Sequence, residues 1–212
     1  MIKKKYNKIV ILGKSQKFIK EIKKNYNYNT LTVIPWRQIK LFLDKKKILY
    51  DLIFLAGFNF GIYQKDLILF KNKNINEPFK LLKKISNKKT LIVYINTQKN
   101  NNKYFTLSRY KYAKQKLAHL IYKRFQNSII FNSDLIKVKN QVSINSNVPS
   151  RFIFHFFLMF NLIKTIEIKK IFLEINNMVM LKTRLKQRNI KGYFLHFSRT
   201  QFIDRMLRVI IG

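Results

Sequence analysis

The sequence contains no cysteine and has few glycines, prolines and acidic residues. Its 212 residues include 5 glycines, 3 prolines and 9 aspartates and glutamates. Without cysteine, the chain forms no disulfide and offers no thiolate to a metal ion. The histidines, His119, His155 and His196, are far apart in sequence and form no metal-binding motif. The sequence therefore predicts no metal site.

The scarcity of acidic residues leaves a large excess of positive charge. Lysine and arginine number 44, and the formal net charge is +35 at pH 7. Hydrophobic residues make up 47% of the chain and aromatic residues 15%, which excludes a disordered tail. A folded chain of this charge repels itself unless a partner neutralises it. Nucleic acid is the first expected partner, and anionic lipid is the second.

A long hydrophobic run is also missing. The most apolar stretch, residues 152–163, contains His155 and Asn161 and is shorter than the roughly 20 residues of a membrane-spanning helix. It predicts a buried helix, with a surface facing lipid or another subunit as the alternative. Residues 1–5 are basic but lead into a predicted strand, not into the apolar core of a signal peptide. Abundant Lys, Asn, Ile, Phe and Tyr are typical of an AT-rich organellar or endosymbiont gene, and we expect a mitochondrial protein of the matrix.

An amphipathic helix is predicted over residues 108–121. Apolar residues recur there at spacings of three and four, namely Leu107, Tyr110, Ala113, Leu117, Leu120 and Ile121. Tyr112 and Lys116 stand four residues apart and share one helix face. An ammonium group beside a phenol lowers the phenol's pKa from about 10, so Tyr112 would act as an acid or base towards a hydroxyl or carbonyl. The alternative is a solvated helix face.

Further segments stand in an order typical of dinucleotide-binding domains. Residues 8–13 form a short apolar strand ending in Gly13, and a helix follows. Residues 50–57 run from an aspartate-led strand into Leu-Ala-Gly, and residues 90–97 form a strand ending in Thr97. Residues 128–133 form a further strand after the helix. Over about residues 8–137 the chain resembles an atypical, degenerate extended short-chain dehydrogenase/reductase (SDR) of the NAD-dependent epimerase type.

The resemblance implies roles for individual residues. Catalytic candidates, regarded as vestigial, are Thr97, Tyr112 and Lys116. Cofactor-binding candidates are Gly13, Arg37, Ala56 and Gly57. An arginine after the second predicted strand, residues 30–36, implies a preference for the 2′-phosphate of NADP.

The glycine motif of the family is incomplete in this chain. Family members carry Gly-x-x-Gly-x-x-Gly, whereas this chain keeps Gly13 and has Gln16 and Ile19 at the other two positions. These side chains would occupy the space of the phosphates and of the helix–strand contact. We therefore expect no bound cofactor, with NADP as the alternative.

The predicted fold class is α/β, a Rossmann-like and mostly parallel sheet with helices on both faces. This domain would span residues 1–137, and a shortened, helical C-terminal region packed on it would span residues 138–212. The short interval between the second and third predicted strands indicates that one strand of the usual sheet is missing. In the C-terminal region, helices are predicted over residues 151–164, 172–187 and 201–211, with a strand over residues 192–197.

Three functions are compatible with this sequence. The first is a non-catalytic structural subunit of an RNA-containing assembly, most naturally an organellar ribosome, which binds RNA phosphates. The second is an accessory subunit of respiratory complex I, and the third is an active NADP-dependent reductase or epimerase using Thr97, Tyr112 and Lys116. The predicted RNA-binding residues lie in separate basic runs, expected to form several faces: Lys3, Lys4, Lys5, Lys45, Lys46, Lys47, Lys83, Lys84, Lys88, Lys89, Lys182, Arg184, Lys186 and Arg188.

Overall fold

The structure, a computed structural model, describes residues 4–13, 15–59, 66–97, 105–133, 135–138, 141–142 and 165–184. The chain begins with β1 (Lys4–Leu12), α1 (Gln16–Asn25), β2 (Tyr26–Ile34), a 3-10 turn (Trp36–Gln38), α2 (Ile39–Asp44) and β3 (Leu52–Leu55). It continues with α3 (Leu67–Lys71), a π-helical turn (Asn72–Asn76), α4 (Glu77–Ile85), β4 (Leu91–Thr97), α5 (Phe105–Arg124) and β5 (Ser128–Ser133). The last described elements are β6 (Leu135–Val138), β7 (Gln141–Val142), β8 (Thr165–Glu167) and α6 (Ile168–Arg184).

The main sheet has five parallel strands in the order β2-β1-β3-β4-β5. Its central strands are continuous apolar runs, buried on both faces as parallel strands require. The order reverses beside β1, since β2 lies on one side of β1 and β3 on the other. This reversal is the topological switch point, where open α/β sheets bind ligands. The predicted α/β fold with a parallel sheet is confirmed.

Two helical layers cover the sheet. Ile9 and Ile11 of β1 pack in the cluster that contains α1 and α6, whereas Val10 and Leu12 pack in the cluster that contains α2, α4 and α5. Alternate residues of a strand point to opposite faces, so the two clusters lie on opposite sides of the sheet. We call the outer helices the α1–α6 layer and the α2–α4–α5 layer.

Helix α6 belongs to the predicted C-terminal region and packs into the main core. Phe172 is fully buried, and its ring lies 5.5 Å from the ring of Phe54 in β3 and 6.0 Å from that of Phe18 in α1. In the small three-stranded sheet, β6 pairs in parallel with β8. The predicted helix over residues 172–187 is confirmed as far as Arg184, although it begins at Ile168, and residues 185–187 lie outside the described residues. The elements predicted over residues 151–164, 192–197 and 201–211 lie outside the described residues.

The shortened crossover predicted between the second and third strands is also present. Residues 35–51 contain the 3-10 turn and α2 but no strand. Helix α2 packs beside α4 on one face of the sheet, and β2 remains an edge strand among the described strands. Within the described part of the chain, no helix combines the length and apolarity needed to cross a bilayer.

Candidate functional site

The carboxyl ends of the parallel strands bring the loop after β1 and the loop after β3 together. Gly13 donates its backbone N–H to Ile34 O (2.8 Å), and Ala56 donates to Leu12 O (3.0 Å). Gly13 has a φ of +134°, which side-chain-bearing residues rarely adopt. A Cβ on Gly13 would also stand 3.0 Å from Ala56 C and Gly57 N. Gly13, Ala56 and Gly57 therefore meet at the switch point, as the predicted cofactor site requires.

The other two positions of the glycine motif carry side chains. Gln16 begins α1 and is exposed, whereas Ile19 is partly buried against the core beneath α1. A glycine at the third position allows close packing between helix and strand. Here an isoleucine side chain fills that contact.

Trp36 occupies the space above Gly57. Its side chain starts just past the end of β2 and reaches the loop after β3, so the indole crosses the carboxyl end of β1, which lies between these strands. A Cβ on Gly57 would stand 2.6 Å from Trp36 Cε3 and 3.0 Å from Gly13 Cα. Trp36 is only 5% exposed, and its Nε1–H donates to Lys73 O (3.1 Å). The indole is thus held from two sides across the switch point.

The loop after β3 is held by a buried amide. Asn74, in the π-helical turn, accepts from the backbone N–H of Asn59 (2.8 Å) and donates to Asn59 O and Phe70 O (both 3.2 Å). Because Lys73 O binds Trp36 and Asn74 binds Asn59, this single turn fixes both the indole and the loop beneath it. π-helical turns are often found at functional sites.

The predicted catalytic pair lies on the outside of α5. Tyr112 is 50% exposed and Lys116 is exposed as well. The inward residues of α5 include Ala113, Leu117 and Ile121, which are fully buried. The structure does not bring Tyr112 and Lys116 to the switch point. Tyr112 and Lys116 form the solvated helix face that the sequence left as the alternative.

A second Tyr-x-x-x-Lys pair, Tyr110 and Lys114, faces inward instead. The ring of Tyr110 lies edge-on to Phe58 in the loop after β3, with 4.6 Å between ring centroids. Lys114 is buried, and its Nζ donates to Ile95 O of β4 (2.6 Å) and lies 4.8 Å from the ring of Tyr94. Burial lowers the pKa of Lys114 to about 7. Of the two pairs, Tyr110 and Lys114 are therefore the one that contacts β4 and the loop after β3.

The ends of β4 and β5 add amide groups to this interior. Asn96 Nδ2 donates to Asn132 Oδ1 (2.8 Å), and Asn96 Oδ1 is buried with no hydrogen-bond partner among the described residues. Thr97 ends β4 in register with Ser133. Burial, reinforced by Tyr110, raises the pKa of the Tyr94 phenol. The inner face of α5 therefore meets polar groups at the carboxyl ends of β4 and β5.

These residues do not fit a dinucleotide bound in the way the fold usually binds one. The acidic residue or arginine that reads the ribose stands about 20 residues beyond the first glycine, at the end of β2. In this chain Trp36 stands there and points across the crevice, while Arg37 is exposed. Side chains also fill the second and third glycine positions.

The predicted RNA-binding lysines are brought together more than the sequence indicated. Lys84 Nζ donates to the carbonyl oxygens of Leu43 and Lys45, which places the end of α4 against the segment after α2. Lys45, Lys46, Lys47, Lys83, Lys88 and Lys89 are exposed in the α2–α4–α5 layer and the turns that flank it. Lys5 is exposed at the start of β1. Lys3, Lys186 and Arg188 lie outside the described residues, and the side chains of Lys4, Lys182 and Arg184 are not described.

Sequence reasoning missed Trp36, Asn74 and the pair Tyr110 and Lys114. The sequence does indicate that Tyr110 faces inward, because it belongs to the apolar stripe of α5. Lys114 follows one helical turn later on the same face. The lysine was overlooked because lysines are rarely buried. No sequence pattern marks Trp36, since its role depends on three segments that meet only in the fold. Within the described residues, no three His, Asp or Glu side chains gather in a way that could hold a metal ion.

The architecture is similar to that of several solved epimerases and reductases. The chain resembles the Helicobacter pylori ADP-L-glycero-D-manno-heptose-6-epimerase with a TM-score of 0.57 and 11% identity, covering 97% of this chain and 82% of that one. It resembles Bordetella bronchiseptica WbmG, solved with NAD, with a TM-score of 0.56, 10% identity and coverage of 97% and 78%. It also resembles the Bacillus anthracis dTDP-4-dehydrorhamnose reductase, solved with NADP. The TM-score is 0.53 and the identity 9%, and the match covers 100% of this chain and 82% of that one.

At these identities the similarity concerns the fold. No protein-family profile and no curated protein sequence matches the chain. The strand order and the share of the chain that these structures match nevertheless agree with the order of segments that indicated an SDR-like fold in the sequence. The chain has the Rossmann-like, NAD(P)-binding type of fold found in extended SDR epimerases and reductases, and is distant from them in sequence.

Proposed function

We propose that this chain is a non-catalytic, SDR-like structural subunit of an RNA-containing assembly in mitochondria, most naturally the organellar ribosome. The observation that carries the proposal is the outer surface of the α2–α4–α5 layer. Exposed cations cover its three helices and the flanking turns, namely Lys40, Lys45, Lys46, Lys47, Lys80, Lys83, Lys88, Lys89, Lys116, Lys123 and Arg124. The acidic residues of the same helices are Asp44 and Glu77.

Little of this charge is neutralised within the protein. Glu77 forms an ion pair with Lys73 (2.9 Å), and α5 carries no acidic residue along its length. Lysines are strongly hydrated and seldom buried, so these side chains face solvent or a partner. A polyanion gains affinity here because each neutralised phosphate releases a counterion.

The aromatic rings of this layer favour phosphate contact over base stacking. Lys45 Nζ lies 4.4 Å from the ring centroid of Phe42, and Lys83 Nζ lies 5.2 Å from that of Phe79. The edge of Phe79 also meets the ring of Phe125 at 6.0 Å. Because lysines and neighbouring rings already contact these aromatic side chains, nucleic-acid bases have little free ring surface on which to stack. Contacts to phosphates position a protein without reading sequence.

The direct test measures RNA binding as a function of salt. Fluorescence anisotropy with an organellar ribosomal RNA fragment and with an unrelated RNA of equal length should give similar affinities. Both should fall by orders of magnitude between about 50 and 200 mM salt if six or more phosphates are engaged. A shallow salt slope, or tighter binding to vesicles rich in phosphatidylserine than to RNA, would contradict the proposal. Sedimentation of organelle extract should place the chain with ribosomal particles.

An accessory role in respiratory complex I is the second candidate. The observation that favours it is an apolar stretch on α3, where Leu67, Ile68 and Leu69 are 48%, 73% and 41% exposed. Neighbouring exposed apolar side chains suit a protein partner. Purification of the chain with an inner-membrane complex that lacks RNA would favour this function over the first.

Retained reductase or epimerase chemistry is the third candidate, and Tyr110 with Lys114 is the observation that favours it. Against it, the Lys114 amine is already bound to Ile95 O, and Trp36 fills the crevice beside Gly57. Oxidation of NADPH by the purified chain with a nucleotide-sugar substrate, abolished by Tyr110→Phe but not by Tyr112→Phe, would establish this activity.

A further inference from the structure

The nucleotide crevice of this fold is filled by a side chain of the protein itself. We propose that the indole of Trp36 takes the place of the adenosine half of a dinucleotide, so that the switch point is permanently self-occupied. This inference does not depend on RNA binding. It concerns which group fills the crevice at the carboxyl ends of the strands.

The first support is position. Adenosine and its ribose bind next to the end of β2, about 20 residues after the first glycine, and Trp36 is the second residue beyond β2. From there the indole crosses β1 to Gly57, whose missing side chain leaves the room for it. A Cβ on Gly57 would stand 2.6 Å from Trp36 Cε3. Gly57 therefore leaves room for the indole at the end of β1.

The second support is chemistry. Indole and adenine are both flat bicyclic rings with an apolar face and hydrogen-bonding groups on the edge. The single edge donor of the indole, Nε1–H, is bound to Lys73 O (3.1 Å). Only 5% of Trp36 is exposed. The ring therefore has the burial and the edge contact of a bound heterocycle, and its six-membered ring lies against Gly57.

The third support is the way that neighbouring segments hold the ring. Lys73 lies next to Asn74, whose amide binds the backbone of Asn59 in the loop after β3. In dinucleotide-binding folds the ligand spans the two halves of the sheet at this point. Here the indole and Asn74 join the end of β2 to the loop after β3 without a ligand. Trp36 thus performs the bridging that the nucleotide performs elsewhere.

Trp36 is the only tryptophan in the chain, so its fluorescence reports directly on this site. In the wild-type protein we expect blue-shifted emission, poor quenching by acrylamide, and no change with millimolar NADP⁺ or adenosine. Calorimetry under the same conditions should detect no binding. Micromolar binding of NADP⁺ to the wild-type protein would overturn the proposal. In that case, a red shift of the Trp36 emission would show that NADP⁺ displaces the indole. Unchanged emission would show that NADP⁺ binds at another site.

Removal of the indole by substitution tests whether the space it leaves can bind a nucleoside. Trp36→Gly should lower the melting temperature and create a cavity that binds free indole, which should restore part of the lost melting temperature. Adenosine should do the same, whereas Trp36→Phe, which keeps a ring in place, should respond to neither. Rescue by indole but not by adenosine would overturn the match to a nucleoside. If Trp36→Gly does not fold, the wild-type titration decides alone.

Discussion

The two helical layers cover the same sheet yet have different outer surfaces. In the α1–α6 layer, the exposed lysines Lys20, Lys23, Lys24, Lys169 and Lys170 share the surface with Glu21, Glu167 and Glu174. In the α2–α4–α5 layer, eleven exposed cations of the helices and flanking turns stand against Asp44 and Glu77 of the same helices. The inner surfaces of both layers contribute large apolar clusters to the core. Burial determines the inner faces of the helices, whereas packing does not require the charge of an outer face, which fits the RNA-binding role that we propose for the α2–α4–α5 layer.

The largest effect is expected from a substitution in the buried side of the α1–α6 layer. Phe172→Ala removes a fully buried ring that contacts Phe18, Tyr26 and Phe54. Substitutions of this kind lower the free energy of unfolding by about 3–5 kcal/mol. Leu173→Ala, on the exposed side of the same helix, is the control and should have little effect. Urea unfolding of the two variants makes the comparison, and equal effects would contradict the packing of α6.

The next effect sharpens the charge comparison between the layers. Reversal of Lys45, Lys83 and Lys88 to Glu should weaken RNA binding about 100-fold at low salt and flatten the salt slope by up to about 0.9 per lost phosphate contact. The matched variant in the α1–α6 layer reverses Lys20, Lys23 and Lys24 and changes the net charge equally. It should lose far less affinity. Equal losses would show that binding depends on total charge and not on one surface.

A smaller effect concerns the lysine buried beneath the α2–α4–α5 layer. The pKa of Lys114 is lowered from 10.5 to about 7, so at intermediate pH the unfolded chain holds a proton that the folded chain lacks. Stability from this group therefore rises as pH increases from 7 towards 10.5, by at most about 1.4 kcal/mol per pH unit. Burial raises the pKa of the adjacent Tyr94, so its phenol stays protonated in this range.

Lys114→Met should remove this rise, and Lys116→Met on the exposed face should keep it. Urea unfolding from neutral to alkaline pH measures both. An unchanged slope in Lys114→Met would mean that Lys114 reaches water in the folded state. A loss of slope in both variants would assign the pH dependence to net charge.

The smallest effect is expected on the outer side of α5. Tyr112→Phe removes the hydroxyl of a half-exposed side chain, so its free energy of unfolding should stay within about 0.5 kcal/mol of the wild type. RNA binding should not change either. Tyr110→Phe is the inward counterpart. A greater loss for Tyr112 than for Tyr110 would reverse the assignment of the two pairs on α5.

Much of the fold could be predicted because apolar runs and their order are local properties of the sequence. The strand of residues 128–133 and the helix around residues 108–121 are confirmed, the helix being longer at both ends. The strand predicted over residues 30–36 was misplaced. It spans Tyr26–Ile34, since Tyr26, Asn27 and Tyr28 pair with Lys4, Lys5 and Tyr6 of β1. Asparagine disfavours strands, so only this long-range pairing extends β2 to Tyr26.

The site was harder to predict than the fold. Gly13, Ala56 and Gly57 lie together in the structure, because turns at strand ends follow from the topology, and their role in binding a cofactor stays a prediction. Two Tyr-x-x-x-Lys pairs overlap in α5, and only packing against β4 distinguishes them. Helix spacing places each pair on one face but does not state which face is buried. The role of Trp36 depends on room left by Gly57 and on a carbonyl at Lys73, which no local pattern connects.

Strand β2 has a further consequence for the isolated protein. Among the described strands it lies at an edge of the sheet, and its nine residues carry no charged side chain. Lysines and prolines usually protect such edges from pairing with another molecule, so here the charge on the remaining chain must keep copies apart. Salt screens that repulsion beyond about 10 Å at 0.1 M. The purified protein should therefore aggregate more readily as salt rises, through β2 to β2 contact.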